Sequence, residues 1–343
     1  MNEMTRLERF RSEVPRPGPS DLRAEEDRLL AAMLAPEPAA PRPRRRTRLR
    51  LAAVTAGVAA ASVTAGLVVA DPGGSPHRVP SVRTMPAAHV ELLQHAADAA
   101  SRTPELHPRP GQFLVYRSLT MDPVESNSGH GRTRYLARTE RTIWLPVNDD
   151  ATHGVLQTDP LPPEPFPGET LPPEARNEAR RTGPEKAADF DHRAEWLRTD
   201  YAYLSRLPAD PAGMYRHLYS HLGTGPSADG QAWQNVGSML TEAYLPAAQR
   251  KALFRAAAAI PGVRTVGRAV DAAGRAGIAV SLDVPGSGQR DEYIFAPKTY
   301  LYLGRRTVVT NASRAHAPLG TVLTSTAQLS IHLTNHAPTV KPH

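Results

Sequence analysis

The sequence predicts an α+β protein: a single transmembrane helix followed by an extracytoplasmic domain whose curved, half-barrel-like antiparallel sheet is packed on helices. Three observations predict it. Leu51–Ala70 reads LAAVTAGVAAASVTAGLVVA, without a charge or a proline. The chain beyond it is strand-like, then helical, then strand-like again, rather than alternating β/α units. The apolar share of 40% suffices for a packed core.

The apolar stretch sets the topology. As a helix it spans about 30 Å, the thickness of the hydrocarbon core. Arg42, Arg44, Arg45, Arg46, Arg48 and Arg50 precede it and Asp71 comes after it. The one-sided arginines hold the tail, residues 1–48, in the cytoplasm and place the rest of the chain outside the cell membrane. The span with its flank covers 49–70, a polar linker 71–85, and the exterior domain 86–335. A cleaved signal peptide is the competing reading, since Val68-Val69-Ala70 resembles a cleavage site. The fifty residues ahead of the core argue for an uncleaved anchor. The net charge of +7, from 41 Lys+Arg against 34 Asp+Glu, concentrates in that arginine run. It therefore reads as a topology signal and not as a nucleic-acid surface. With no cysteine, the chain has no disulfide framework and no Cys-based zinc or redox site.

In the tail, Pro19-Ser20-Asp21 supplies an N-cap and Ala35-Pro36 a stop, which predicts a helix over 20–34. Leu22, Leu29, Leu30, Met33 and Leu34 form one apolar stripe on it. So short a helix is marginal alone in water and must dock on something. A protein partner, the inner leaflet and a second copy of the chain all remain open. Glu25, Glu26 and Asp27 favour the protein over anionic lipid.

The exterior domain opens with a helix over 86–101. Strands come next over 112–121 and 132–147, the second alternating strongly. Residues 158–188, rich in Pro, Glu and Arg, predict a mobile loop with too little apolar content to order. Helices are expected over 214–222, 231–244 and 246–260; on the last, Leu253, Phe254, Ala257 and Ile260 make the buried stripe. The remainder predicts a meander of strands over 263–270, 276–284, 291–295, 300–303, 306–310 and 321–333, punctuated by Gly turns.

No catalytic motif stands out: there is no G-x-S-x-G, Walker, G-x-G-x-x-G or H-E-x-x-H pattern. His217 and His221 sit four apart, a spacing that offers two imidazoles to one metal, yet no third ligand shows and packing is the simpler reading. Asp283 and Asp291 flank a Gly-rich turn, where carboxylates serve turn chemistry. Trp144, Trp196 and Trp233 are core residues in the plain reading and ligand-lining residues in the sharper one. The expectation is no catalytic residue, no cofactor and no metal.

Several pieces are familiar together: LPADP at 207–211, RKALFRAAAAIPGV at 250–263, DAAGRAGIAV at 271–280 and EYIFAPKTYLYLG at 292–304. With the opening MNEMTRLERFRSEVPRPGPSDLRAEEDRLLAAML, the arginine run and one span, the chain resembles an uncharacterised actinobacterial family of single-pass membrane proteins often encoded beside extracytoplasmic-function sigma factors. Ala296 stands where members usually carry an acidic residue. The resemblance implies association with transcriptional regulation and carries over no catalytic residue. By element order alone, the domain is similar to lipoprotein-carrier and envelope-sensor half-barrels, which does not decide function.

The leading expectation is a non-enzymatic envelope protein that senses or binds something outside and engages a regulatory partner inside, a sigma factor first. The alternative is a membrane-anchored carrier of lipid or another apolar ligand, and the third an anchored hydrolase. A large apolar cavity favours the carrier, a filled core the sensor, and converging acids the enzyme.

Overall fold

The structure is a computed structural model that describes residues 84–128, 131–147, 153–176, 183–187 and 198–340. The chain divides into two compact units, Met1–His77 and Arg78–His343, and every described residue belongs to the second. The tail residues Leu22, Leu29, Leu30, Met33 and Leu34, the expected span Leu51–Ala70 and Trp196 lie outside the described residues. Among the described residues, no helix is long and apolar enough to cross a membrane.

The second unit is α+β, with helices packed on a large open antiparallel sheet. In chain order its elements are α1 (Glu91–Ala100), β1 (Phe113–Ser128), β2 (Gly131–Pro146), β3 (Val155–Pro165), a 3-10 turn (Pro173–Arg176) and β4 (Glu185–Lys186). Then come α2 (Tyr201–Leu204), α3 (Pro211–Leu218), α4 (Pro226–Leu240) and α5 (Ala247–Ala257). The closing stretch holds β5 (Arg264–Val270), β6 (Ala276–Val284), β7 (Gln289–Phe295), β8 (Tyr302–Val309), α6 (Ala312–Ala315) and β9 (Val322–Thr334). The strands lie in the order β4-β3-β2-β1-β9-β8-β7-β6-β5, so two meanders meet where β1 pairs with β9.

Local chemistry sets the helix ends. Asp210 caps α3 by accepting the Gly213 N–H at 2.7 Å, and Pro211 occupies the first turn, where its missing donor costs nothing. Gly225, at φ 87°, turns the chain into α4 ahead of Pro226. Residues 260–262, Ile-Pro-Gly, close the segment after α5. The expected stripe on α5 is where the core lies: Leu253, Phe254, Ala257 and Ile260 are all buried, while Arg255 faces out to Asp98. That stripe meets Val280, Tyr293 and Phe295, and Phe254 stands edge-on to Phe295 at 5.5 Å. Alternation along β6 sorts its faces: Val280 and Leu282 join the helices, whereas Ala279 packs with Ala269 and Ile294 behind them.

The Pro-rich segment departs from expectation. Within the described part of 158–188, β3 pairs with β2 from Val155 to Pro165, and β4 adds two residues beside Val155 and Leu156, so the segment is not loop throughout. Prolines fit here because β3 beyond Leu156 is an edge strand: one side of it meets no ladder, so a missing N–H goes unfelt. The register shifts between Leu136 and Arg138, opposite Pro162 and Pro163. Phe166 then turns into a small core with Leu136, Val309 and Leu323, under the Arg134 guanidinium at 3.8 Å.

Smaller corrections have the same physical basis. The strands expected separately at 300–303 and 306–310 are one, β8. The helix expected over 214–222 starts earlier, on the Asp210 cap, and ends at Leu218. His221 lies beyond that end at φ 62°, so it does not share a helix face with His217. Asp283 pairs across the hairpin with Arg290, and Asp291 with Leu282. Directly opposed residues share a face, so the two aspartates point to opposite faces of the sheet.

Candidate functional site

Where α1, α5 and the end of α4 meet β8 and β9, packing leaves a cleft with a cavity volume of about 360 Å³. Ala96 and Ala100 of α1 form one wall, Leu240 and Leu245 another, and Leu329 and Ile331 of β9 the floor. Leu301, 43% exposed, reaches the same cleft from the β7–β8 turn.

The polar part of the lining comes from Thr103, Tyr244, Tyr300, Tyr302, Gln328, Arg250 and Arg275. Arg275 is fully engaged: it pairs with buried Asp271 at 2.7 Å and donates to the carbonyls of Leu303 and Gln328 at 2.9 and 2.8 Å. Arg250 is engaged far less. Its guanidinium donates to the Ala100 carbonyl at 3.3 Å, and burial pushes its pKa down.

Two cleft-bordering loops hold strained residues. Tyr300 has φ 56° and Glu242 φ 52°, left-handed values that side chains other than glycine rarely adopt. Each costs about 1 kcal/mol or more and persists only where its surroundings hold it. Tyr300 stacks on His95 with centroids 5.0 Å apart. Glu242 accepts from the Ser118 hydroxyl at 2.6 Å and lies 3.5 Å from the Arg141 guanidinium, which ties the loop after α4 to β1 and β2.

Tyr302 and Gln328 also line a small neighbouring cavity of about 10 Å³, with Tyr116, Ser118 and Glu242. That is room for one water-sized group. The Tyr116 hydroxyl is buried there without a hydrogen-bond partner, and burial pushes its pKa far above the usual phenol value. Burial raises Tyr302 as well, and its hydroxyl meets Thr241 Oγ1 at 3.3 Å.

Of the tryptophans singled out from sequence, Trp144 and Trp233 take no part in the cleft's lining. Trp233 is buried under Tyr293 with ring centroids 4.3 Å apart, and it donates to the Asp291 carbonyl. Trp144 pairs with Val115, which places it on the sheet face opposite Leu114, Tyr116 and the neighbouring Tyr244. Among the described residues, no three His, Asp or Glu side chains converge as metal ligands. Glu292, fully buried, sits between Arg290 and Arg306 at 2.6 and 2.7 Å, an arrangement that neutralises it in place.

Arg250 was missed by sequence reasoning, yet a signal was there. It precedes Phe254 and Ala257 by four and seven residues, so an arginine stands on the apolar stripe of α5. No family model matches the chain and no curated protein matches it, so the cleft's own geometry carries the functional reading.

Proposed function

We propose that the chain is a membrane-anchored binding protein whose exterior domain holds an apolar ligand in the cleft between α1, α5 and β8–β9. The carrying observation is the cleft: alanines and leucines line much of about 360 Å³, with tyrosines, a glutamine and two arginines among them. A concave apolar site with a few convergent polar groups is the usual form of a small-molecule site. The volume sits at the low end of the ~300–1,000 Å³ such sites span, and the packed centre around Trp233 and Phe254 lies beside it. This combination supports a sensor that retains one ligand. In this reading Leu51–Ala70 anchors the chain, residues 1–48 face the cytoplasm, and Leu22, Leu29, Leu30, Met33 and Leu34 dock a regulatory partner, a sigma factor first. The carrier reading shares the same cleft and differs only in giving the tail no partner.

The test has two parts. Mass spectrometry of organic extracts from the purified whole chain should find a bound apolar molecule. Leu329→Trp, which fills the floor, and Leu301→Asp, which makes the mouth polar, should both remove it. Reporter fusions at Pro76 and His343 should be active only for an exported enzyme. An empty extract from wild type, or reporters active in the cytoplasm, overturns the reading. Leu29→Asp with Leu30→Asp separates sensor from carrier: loss of a co-purifying partner supports the sensor.

A further inference from the structure

We propose that Arg250 is the head-group ligand of the cleft, which takes a single-chain amphiphile ending in a carboxylate or a phosphate. The inference rests on the apolar-ligand reading above and names the chemistry of that ligand.

The two arginines of the cleft differ in what they have already bonded. Arg275 has a buried carboxylate and two carbonyls. Arg250, with five N–H donors, has one carbonyl contact at 3.3 Å and makes no ion pair among the described residues. It stands half-buried among Ala100, Tyr244 and Phe254, where the exposed Glu105 carboxylate acts on it without an ion pair, so its guanidinium is incompletely compensated. A planar fork with spare donors at the edge of an apolar wall matches a carboxylate or phosphate attached to a hydrocarbon.

The surroundings add to the positive potential. Arg250 lies in the first turn of α5, where the helix dipole also favours an anion. Glu105 already uses part of that potential: its carboxylate accepts the Ala247 N–H at 2.7 Å, and its charge acts on Arg250. Because Arg250 lines the cleft, its remaining donors are the ones assigned to the occupant. A cavity of about 360 Å³ suits one chain rather than two.

The experiment uses the whole chain, delipidated and held in amphipol, titrated with dodecanoate, dodecyl phosphate, dodecanol and dodecyltrimethylammonium. Wild type should bind at least one of the two anions about tenfold or more tighter than dodecanol, and the cation most weakly. Whichever anion is preferred identifies the head group. Arg250→Gln should bring the anion down to dodecanol's affinity and leave dodecanol unchanged. Glu105→Gln keeps an acceptor for the Ala247 N–H while removing a competing charge, so it should tighten the anion severalfold. That second variant, on an exposed side chain, decides the matter if Arg250→Gln does not fold. Dodecanol binding as tightly as both anions, or an anion preference that survives Arg250→Gln, overturns the head-group assignment and leaves the apolar site standing. Failure of all four probes to bind overturns the site itself.

Discussion

The Tyr293 hydroxyl donates to the Trp233 carbonyl at 2.6 Å while the two rings stack face to face, so one residue of β7 holds α4 by both a bond and a surface. The contact requires Gly237 one turn further along α4. A Cβ there meets the Tyr293 hydroxyl closer than van der Waals contact allows. Gly237→Ala should therefore destabilise the domain by about 1–3 kcal/mol despite the better helix propensity of alanine. Tyr293→Phe should cost about 1 kcal/mol for the lost buried bond. The double variant should lose less than the sum, because the nearest clashing atom is the oxygen that Phe lacks. Urea melts of the four proteins measure the coupling, and strict additivity contradicts this account.

On α5, Phe254→Ala should cost about 3–5 kcal/mol, since the ring is buried against Phe295 and cannot be replaced by collapse in so crowded a core. Arg255→Ala, one residue away, removes a pair in which both partners are well exposed and should be near neutral. Equal effects mean that the helix presents another face.

Phe166 makes the same point for the Pro-rich segment. Phe166→Ala should destabilise by about 3 kcal/mol, which in a domain of this size lowers the melting temperature by roughly 6–12 °C. Replacing 161–185 with a Gly/Ser linker should do at least as much, because it removes half of β3 together with that anchor. An unchanged melting temperature restores the view of this segment as a dispensable loop.

Stability should also depend on pH through His217. Burial beside Tyr203 pushes its pKa below the ordinary 6.5, so the folded imidazole stays neutral where the unfolded one is protonated. The unfolded state then binds more protons, so this contribution is complete above about pH 6.5 and is lost as pH falls towards the folded value. Comparing wild type with His217→Gln at about pH 7.5 and about pH 5 isolates it. The wild type should lose the greater share of its stability on acidification, and parallel losses refute the assignment.

How much of the fold the sequence made legible depends on where the information sits. The span 276–284 could be read to its ends because apolar alternation and the turns at Gly274 and Gly286 are all local. Strand β3 could not, because an edge position forgives the prolines that normally exclude a strand, and edge status depends on what β2 does elsewhere. The cleft is less legible still. Ala100, Tyr244, Arg250, Arg275 and Leu329 converge from distant stretches of chain, and no local window joins them. Trp233 was more legible: a large ring signals burial, and it lies in the core against Tyr293.

The seam between β1 and β9 has a consequence for how the molecule is made. Phe113 pairs with Thr334 and Met121 with Ser325, so the first long strand finds its second neighbour in the last one. Until synthesis reaches that far, β1 to β3 form a half-sheet with a raw inner edge, and an unpaired edge recruits whatever strand comes near. Loop closure over such a separation is slow compared with the hairpins on either side. This edge is therefore the one open longest. Loss of β9 leaves two meanders with no partner for each other, a lesion that protein quality control meets as aggregation rather than as a mild loss of stability.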